Sequence, residues 1–440
     1  MKFQLSGLFS KLSIKALPGR TAAGVLGVLA VAVLAFMRMP PSARDVVWAE
    51  DGGIFLRDAM ARKGLLDIFA PYDGYLHVVP RLAAKTVVRF FAVDDYALAM
   101  NFLSCVVVAM VALLVFYCSK AVTSNVYARL GWASITVLVA PAPLETLANF
   151  ANIHSYFLWL MPWLLLKPAT SRLSGVVLFS AALLGALTEI VTALFIPLFA
   201  LRFRDKAMWP ARSGLVIGLV FQAVATMSNP RSHPEGHPLS FPSMVVGWFL
   251  NSSSAVVYGN STQIIANIQN FAAWPAILAA VPFALAAVLV AWKGTTEQRQ
   301  LAAVFLLSSI AVWSATQVVN FQEYFDYAAF DDERWEKFFL SRYSTVPSMF
   351  VLALLPLAAL CDRSKTRHLA AAAFSVFLVL QCIYFFPQNT ARNEGPEWRT
   401  GVSAAREACR SDPALAAAAV DVAPNQWLAG GLRVECALLR

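Results

Sequence analysis

From Ala97 to Cys118 the chain runs the length of a membrane span without one charged side chain, and comparable runs recur along it. Uncharged apolar runs of about 16 to 22 residues match the roughly 20 that an α-helix needs to cross the hydrocarbon core of a bilayer. Nothing else in the sequence limits the fold so tightly. In hydrocarbon every backbone N–H and C=O must be bonded within the protein, so a spanning segment is a helix or part of a closed barrel. These runs do not alternate apolar and polar residues, which argues against a barrel. Charged residues make up 14% of the 440, against about 25% in soluble domains. The expected fold is an all-α polytopic membrane protein with about eleven transmembrane helices.

Spans are expected near 21–37, 97–118, 130–144, 154–166, 213–229, 271–292, 301–319, 344–360 and 369–386. Between Leu173 and Leu201 the only charge is Glu189, and both flanks are basic. One helix over that stretch would be about 43 Å long, well beyond the roughly 30 Å core. Two short spans meeting near Thr188–Glu189 are expected instead, buried among neighbours.

The net charge of +9 invites a nucleic-acid reading, which its distribution removes. Segments 1–20, 119–129, 167–172, 202–212, 293–300 and 361–368 hold 17 Lys and Arg against 3 Asp and Glu. The remainder holds 18 against 23. Basic residues concentrate in short loops on the cytoplasmic side, so the charge orients the chain: N-terminus inside, C-terminus outside. Lys2, Lys11, Lys15 and Arg20 precede an apolar run ending at Met37, with Arg38 and prolines after it, which reads as a retained signal anchor. Residues 1–386 form a transmembrane domain whose first outer loop is 39–96, and 387–440 form a small extracytoplasmic tail. Within the tail, Cys409 and Cys436 are placed to pair in an oxidising compartment. No Cys/His spacing suggests zinc, and the proline and glycine of HPEGH at 233–237 break the helix that would align its histidines. Neither a Walker lysine nor a G-x-S-x-G elbow occurs.

Chemistry-bearing residues gather where the chain should emerge on the outer side. Glu50 and Asp51 are adjacent acids in the first loop. Such a pair can hold a divalent cation or supply a general base. Equally, Asp51 can N-cap a short helix through GIFLRDAMARKG, closed by Gly64. Asp73 and Tyr75 lie in the turn PYDGY. His77, Arg81, Lys85 and Arg89 recur every four residues, so they share one face of an amphipathic interfacial helix, with Leu76, Val79, Ala83, Val87 and Phe90 on another. The basic face either snorkels toward headgroups or, through His77 and Arg81, grips a lipid phosphate. Asn149, Asn152 and His154 stand at the outer mouth of the fourth span, Glu189 at the outer turn between the two short spans, and Arg342 and Tyr343 at the start of the tenth.

WAEDGGIF, PYDGYLHVVPR, NIHSYFLW and the SRY at 341–343 resemble segments of the GT-C class of integral membrane glycosyltransferases, as does the layout of anchor helix, acidic first outer loop and many unequal spans. The resemblance implies a sugar donor carried on polyprenyl phosphate and used on the outer face of the bacterial inner membrane. The acceptor would be a glycan, a lipid or a protein. It also implies an acid as catalytic base, Glu50 or Asp51, with a divalent cation (magnesium or manganese) at the same pair if metal is needed. His77, Arg81 and Arg342 would neutralise the leaving phosphate, and Asp73, Tyr75, Asn149, Asn152, His154, Glu189 and Tyr343 would line the substrate site. The alternatives are a flippase for a lipid-linked saccharide and a non-catalytic subunit of an envelope assembly. No internal repeat is visible, which weighs against a transporter built from inverted halves.

Overall fold

A computed structural model describes residues 19–440 apart from Lys63, 232–239, Phe321, 362–364, 387–389, Gln426 and Arg440. The HPEGH segment lies outside the described residues. The chain is 74% helical. Among the described residues five helices are long and apolar enough to cross a membrane: Val93–Ala121, Lys206–Ser228, Trp274–Lys293, Thr296–Val319 and Arg342–Ala359. Shorter apolar helices cover Gly24–Met37, Arg172–Ala186, Ile190–Ala200 and Arg367–Ile383.

The centre is the helix His154–Leu166, whose residues Ser155 to Leu165 are all buried. A segment apolar on every side belongs inside a bundle, and at 13 residues this one is only about 20 Å long. Its own Trp159 and Trp163 pack with the rings of Trp132, Phe305 and Phe350 from neighbouring helices. Their centroids lie 5.1 Å apart for Trp132–Trp163 and 5.2 Å for Trp159–Phe350. The indole N–H of Trp132 donates to the Ala353 carbonyl at 3.0 Å and that of Trp159 to Thr136 Oγ1 at 2.9 Å, as buried indoles require.

The apolar stretch after Leu173 is broken as expected. The helix Arg172–Ala186 gives way at Thr188–Glu189 to a tighter 3-10 helix, Ile190–Ala200, whose first turn is capped by the Glu189 carboxylate accepting from the Val191 amide at 2.7 Å. The helix expected across 130–144 stops at Leu138, because Pro141 and Pro143 break the chain there, and a separate turn follows at Ala142–Glu145.

The C-terminal tail is a small folded unit. A helix, Trp398–Ser411, packs on an antiparallel pair of strands, β1 (Ala417–Val420) and β2 (Leu432–Glu435), and Cys409 is disulfide-bonded to Cys436. The unit is fastened to the first loop rather than hanging free. Trp398 donates its backbone N–H to the Asp45 carbonyl and its indole N–H to the Val93 carbonyl, both at 2.7 Å, and Arg406 pairs with Asp94 at 2.6 Å. Arg392, fully buried, donates to the carbonyls of Ala148 and Leu147. Arg38 likewise reaches the carbonyls of Phe385 and Tyr384. Buried guanidiniums bonded to backbone oxygens on distant segments fix how loops stack at this end of the bundle.

Candidate functional site

The two acids of the first loop face different ways. Asp51 opens a wide helical turn, Asp51–Leu56, but caps nothing in it. Its carboxylate instead reaches 99 and 100 residues along the chain, accepting from the amides of Phe150 at 3.0 Å and Ala151 at 2.7 Å. The N-cap expectation is therefore corrected: the free amides that attract Asp51 belong to the loop before the central helix. Burial pushes the Asp51 carboxyl up to about 7, with the two amide bonds opposing the shift and the Glu50 charge adding to it. Clamped in this way, Asp51 turns Glu50 toward a cavity, where Glu50 Oε2 is buried with no hydrogen-bond partner.

That cavity measures about 380 Å³. Its roof is the first loop, with Glu50, Tyr72, Asp73, Tyr75 and His77. Its floor is the N-terminal end of the central helix and the loop before it, with Asn152, His154 and Leu158. Glu189 enters from the turn between the short helices, Thr226 and Arg231 from the end of the Trp209–Ser228 helix, Thr316 and Asn320 from the end of Thr296–Val319, and Arg342 and Tyr343 from the last wall. Apolar side chains beside those helix ends, Met227 and Val318 among them, are exposed.

Two guanidiniums in the wall already hold carboxylates. Arg342 pairs with Glu145 at 3.3 Å, donates its backbone N–H to the same carboxylate at 2.8 Å, and reaches the Tyr343 hydroxyl at 3.3 Å. Arg231 pairs with Asp73 at 3.0 Å. Opposite them, His154 Nδ1 lies 4.0 Å from Glu189 Oε2 and has no hydrogen-bond partner, and Thr226 Oγ1 is also unmatched. His77 faces the Tyr72 carbonyl through Nε2 at 3.3 Å, and its ring centroid is 4.0 Å from that of Tyr75. Burial pulls the His77 imidazole down to about 3, with His154 and Arg81 adding to the effect, so the ring is neutral. Buried polar atoms are normally matched. Glu50 Oε2, His154 Nδ1 and Thr226 Oγ1 are unmatched in residues that line one hollow, which marks it as a place built to receive hydrogen-bonding groups from elsewhere.

Of the residues singled out in the sequence, Glu50, Asp73, Tyr75, His77, Asn152, His154, Glu189, Arg342 and Tyr343 come together here. Three do not. Asp51 is spent on the Phe150–Ala151 clamp. Asn149 shapes the same loop, donating to the Glu145 carbonyl at 3.2 Å and accepting from the Asn152 amide at 3.3 Å. Arg81 does not grip a headgroup: it is buried, pairs with Asp58 at 2.8 Å and stands over the Phe55 ring. The helix Val78–Phe90 exists as expected, but its basic stripe runs from buried His77 and Arg81 to exposed Arg89, because Asp58 draws Arg81 inward. Sequence reasoning missed Arg231, Glu145, Tyr72 and Asn320. Arg231 and Glu145 carried a usable signal, each being a charge that follows proline at the outer end of an apolar run. Asp58 carried none, since its partner lies 23 residues away.

The two acids of the Glu50–Asp51 pair are engaged differently. Both Asp51 oxygens face backbone amides, and among the described residues no group of three or more His, Cys, Asp or Glu could hold a metal ion. Comparison with known protein families, with curated proteins and with solved structures returns no match.

Proposed function

We propose that this protein is a GT-C-like glycosyltransferase of the bacterial inner membrane. It would transfer a sugar from a polyprenyl-phosphate donor to an envelope glycan, lipid or protein on the outer face. The observation that carries the reading is the unmatched Glu50 carboxylate oxygen, buried at a largely apolar cavity with Arg342 and Arg231 in its wall. In this reading about eleven spans place the N-terminus in the cytoplasm and the cavity at the outer headgroup level.

The chemistry follows from the side chains. The acceptor hydroxyl gives its proton to Glu50, and its oxygen bonds to the anomeric carbon. The bond from that carbon to the phosphate oxygen breaks, and its electron pair leaves on the phosphate. Arg342 and Arg231 take up the developing charge by sharing donors now given to Glu145 and Asp73. A guanidinium offers parallel N–H groups suited to phosphate, and fixed donors of this kind stabilise charge as it forms. Asp51 is not the base here; its oxygens hold the turn from which Glu50 projects. No step runs through a metal ion.

Lipid-linked saccharides in a deletion strain test this. The donor is expected to accumulate, to be consumed on complementation with the wild-type chain, and to persist with Glu50→Gln. Equal consumption by Glu50→Gln would refute the assignment.

A further inference from the structure

The turn carrying Glu50 is pressed into shape by the other end of the chain. Ala49, the residue before Glu50, has φ of 35°, in the left-handed region that non-glycine residues rarely adopt. Such a conformation persists only where its surroundings impose it. Here the Ala49 amide donates to the Ala423 carbonyl, and the Ala423 amide donates back to the Val47 carbonyl at 2.9 Å, so residues 47–49 pair with the segment after β1. Immediately beyond Asp51, a Cβ on Gly52 would strike Val422 and Val47, and one on Gly53 would strike the Trp427 ring. Two consecutive glycines are required because the tail lies directly against the turn. On the opposite side Asp51 is held by the amides of Phe150 and Ala151. Glu50 lies between these two constraints, facing the cavity.

We propose that the C-terminal unit is a positioning device for Glu50, with Trp427 and Val422 as its contact residues. The Cys409–Cys436 bond then secures that device, because it ties the end of β2 to the supporting helix. The inference rests on Glu50 being the functional acid of the cavity, and the exchange arm of its test does not depend on transfer chemistry. Trp427 is 37% exposed, so its removal should leave the bundle intact.

Hydrogen–deuterium exchange on the purified full chain reads the effect directly. In Trp427→Ala, amides of the Trp48–Leu56 stretch are expected to exchange about tenfold faster, while those of the central helix keep their rate. Trp427→Phe should restore protection, and reducing the disulfide should mimic Trp427→Ala. With donor lipid recovered from the deletion strain, Trp427→Ala should slow turnover about tenfold and leave the affinity for undecaprenyl phosphate within about twofold. Unchanged exchange in the Trp48–Leu56 stretch would overturn the proposal. So would lost protection throughout the chain, which would mean an ordinary structural role. If exchange shifts as expected while Glu50→Gln transfers normally, the tail still shapes the turn, but Glu50 is not the base and the positioning of a functional acid falls with it.

Discussion

The two ends of the central helix teach opposite lessons. Along its body, rings from four segments fill the space; the indoles of Trp132 and Trp159 have found acceptors, and the Trp163 indole, without one, is shut in among rings and lines no part of the cavity. At its N-terminal end the same helix presents His154 to a cavity where three buried polar atoms have no partner. Dense packing of rings makes a scaffold. Polar groups held in place but left unmatched cost stability and make sense when a ligand completes them. The division between framework and site thus falls within one 13-residue helix.

If the inner part is framework, damage there should be severe and unrelated to ligand. Trp159→Ala removes a fully buried indole from the aromatic cluster and should cost about 3–5 kcal/mol in unfolding free energy, measured by denaturant titration in detergent. A loss below about 1 kcal/mol would erase the contrast between the two ends.

The seam between them is held by Gln222. This buried side chain accepts from the Leu76 amide at 2.8 Å and donates to the carbonyls of Ala186 at 2.8 Å and Leu76 at 3.3 Å, which pins the cavity roof to the membrane helices. Gln222→Leu strands those backbone groups. It should cost about 2–3 kcal/mol in the same titration and loosen the roof, seen as faster proteolysis between Tyr72 and His77.

Sequence made the framework legible because hydrophobic runs report burial directly. The split at Glu189, the amphipathic helix after Tyr75 and the Cys409–Cys436 pair were all visible as patterns within short windows. What stayed hidden depended on contacts between distant segments. Adjacent Glu50 and Asp51 look equivalent on paper. Only the folded chain brings the free amides of Phe150 and Ala151 to one of them and leaves the other facing the hollow. Arg81 looked like a headgroup ligand because nothing in its own helix announces Asp58. The glycines after Asp51 carry no mark of their cause in the sequence, and the fold shows that they make room for Val422 and Trp427.

His77 sharpens the comparison through pH. Its neutral ring takes up a proton readily only on unfolding, with an ordinary midpoint near 6.5 against about 3 in the fold. Its contribution is therefore full above 6.5 and declines as pH falls below that value. Asp51 acts in the opposite sense. Its folded carboxyl keeps a proton up to about 7, against 3.8 ordinarily, so its contribution is full below 3.8 and is lost as pH rises toward 7. Between pH 6.5 and about 5, His77→Gln should flatten the acid-side loss of unfolding free energy by about 1.5 kcal/mol. An unchanged pH profile would mean that the roof is wetter than its burial indicates. At the other extreme, Leu66 is 79% exposed on the first loop, and Leu66→Ser should shift the detergent titration by less than about 0.5 kcal/mol.

The division of labour between the two neighbouring acids is decided by initial transfer rates of purified Glu50→Gln and Asp51→Asn chains, with donor lipid recovered from a deletion strain. Glu50→Gln should lower the rate by about 10²–10⁴ and leave the melting temperature unchanged. Asp51→Asn should lower melting first and retain measurable transfer from the molecules that stay folded. Wild-type transfer by Glu50→Gln, with activity abolished only in a fully folded Asp51→Asn chain, would contradict the assignment of the base.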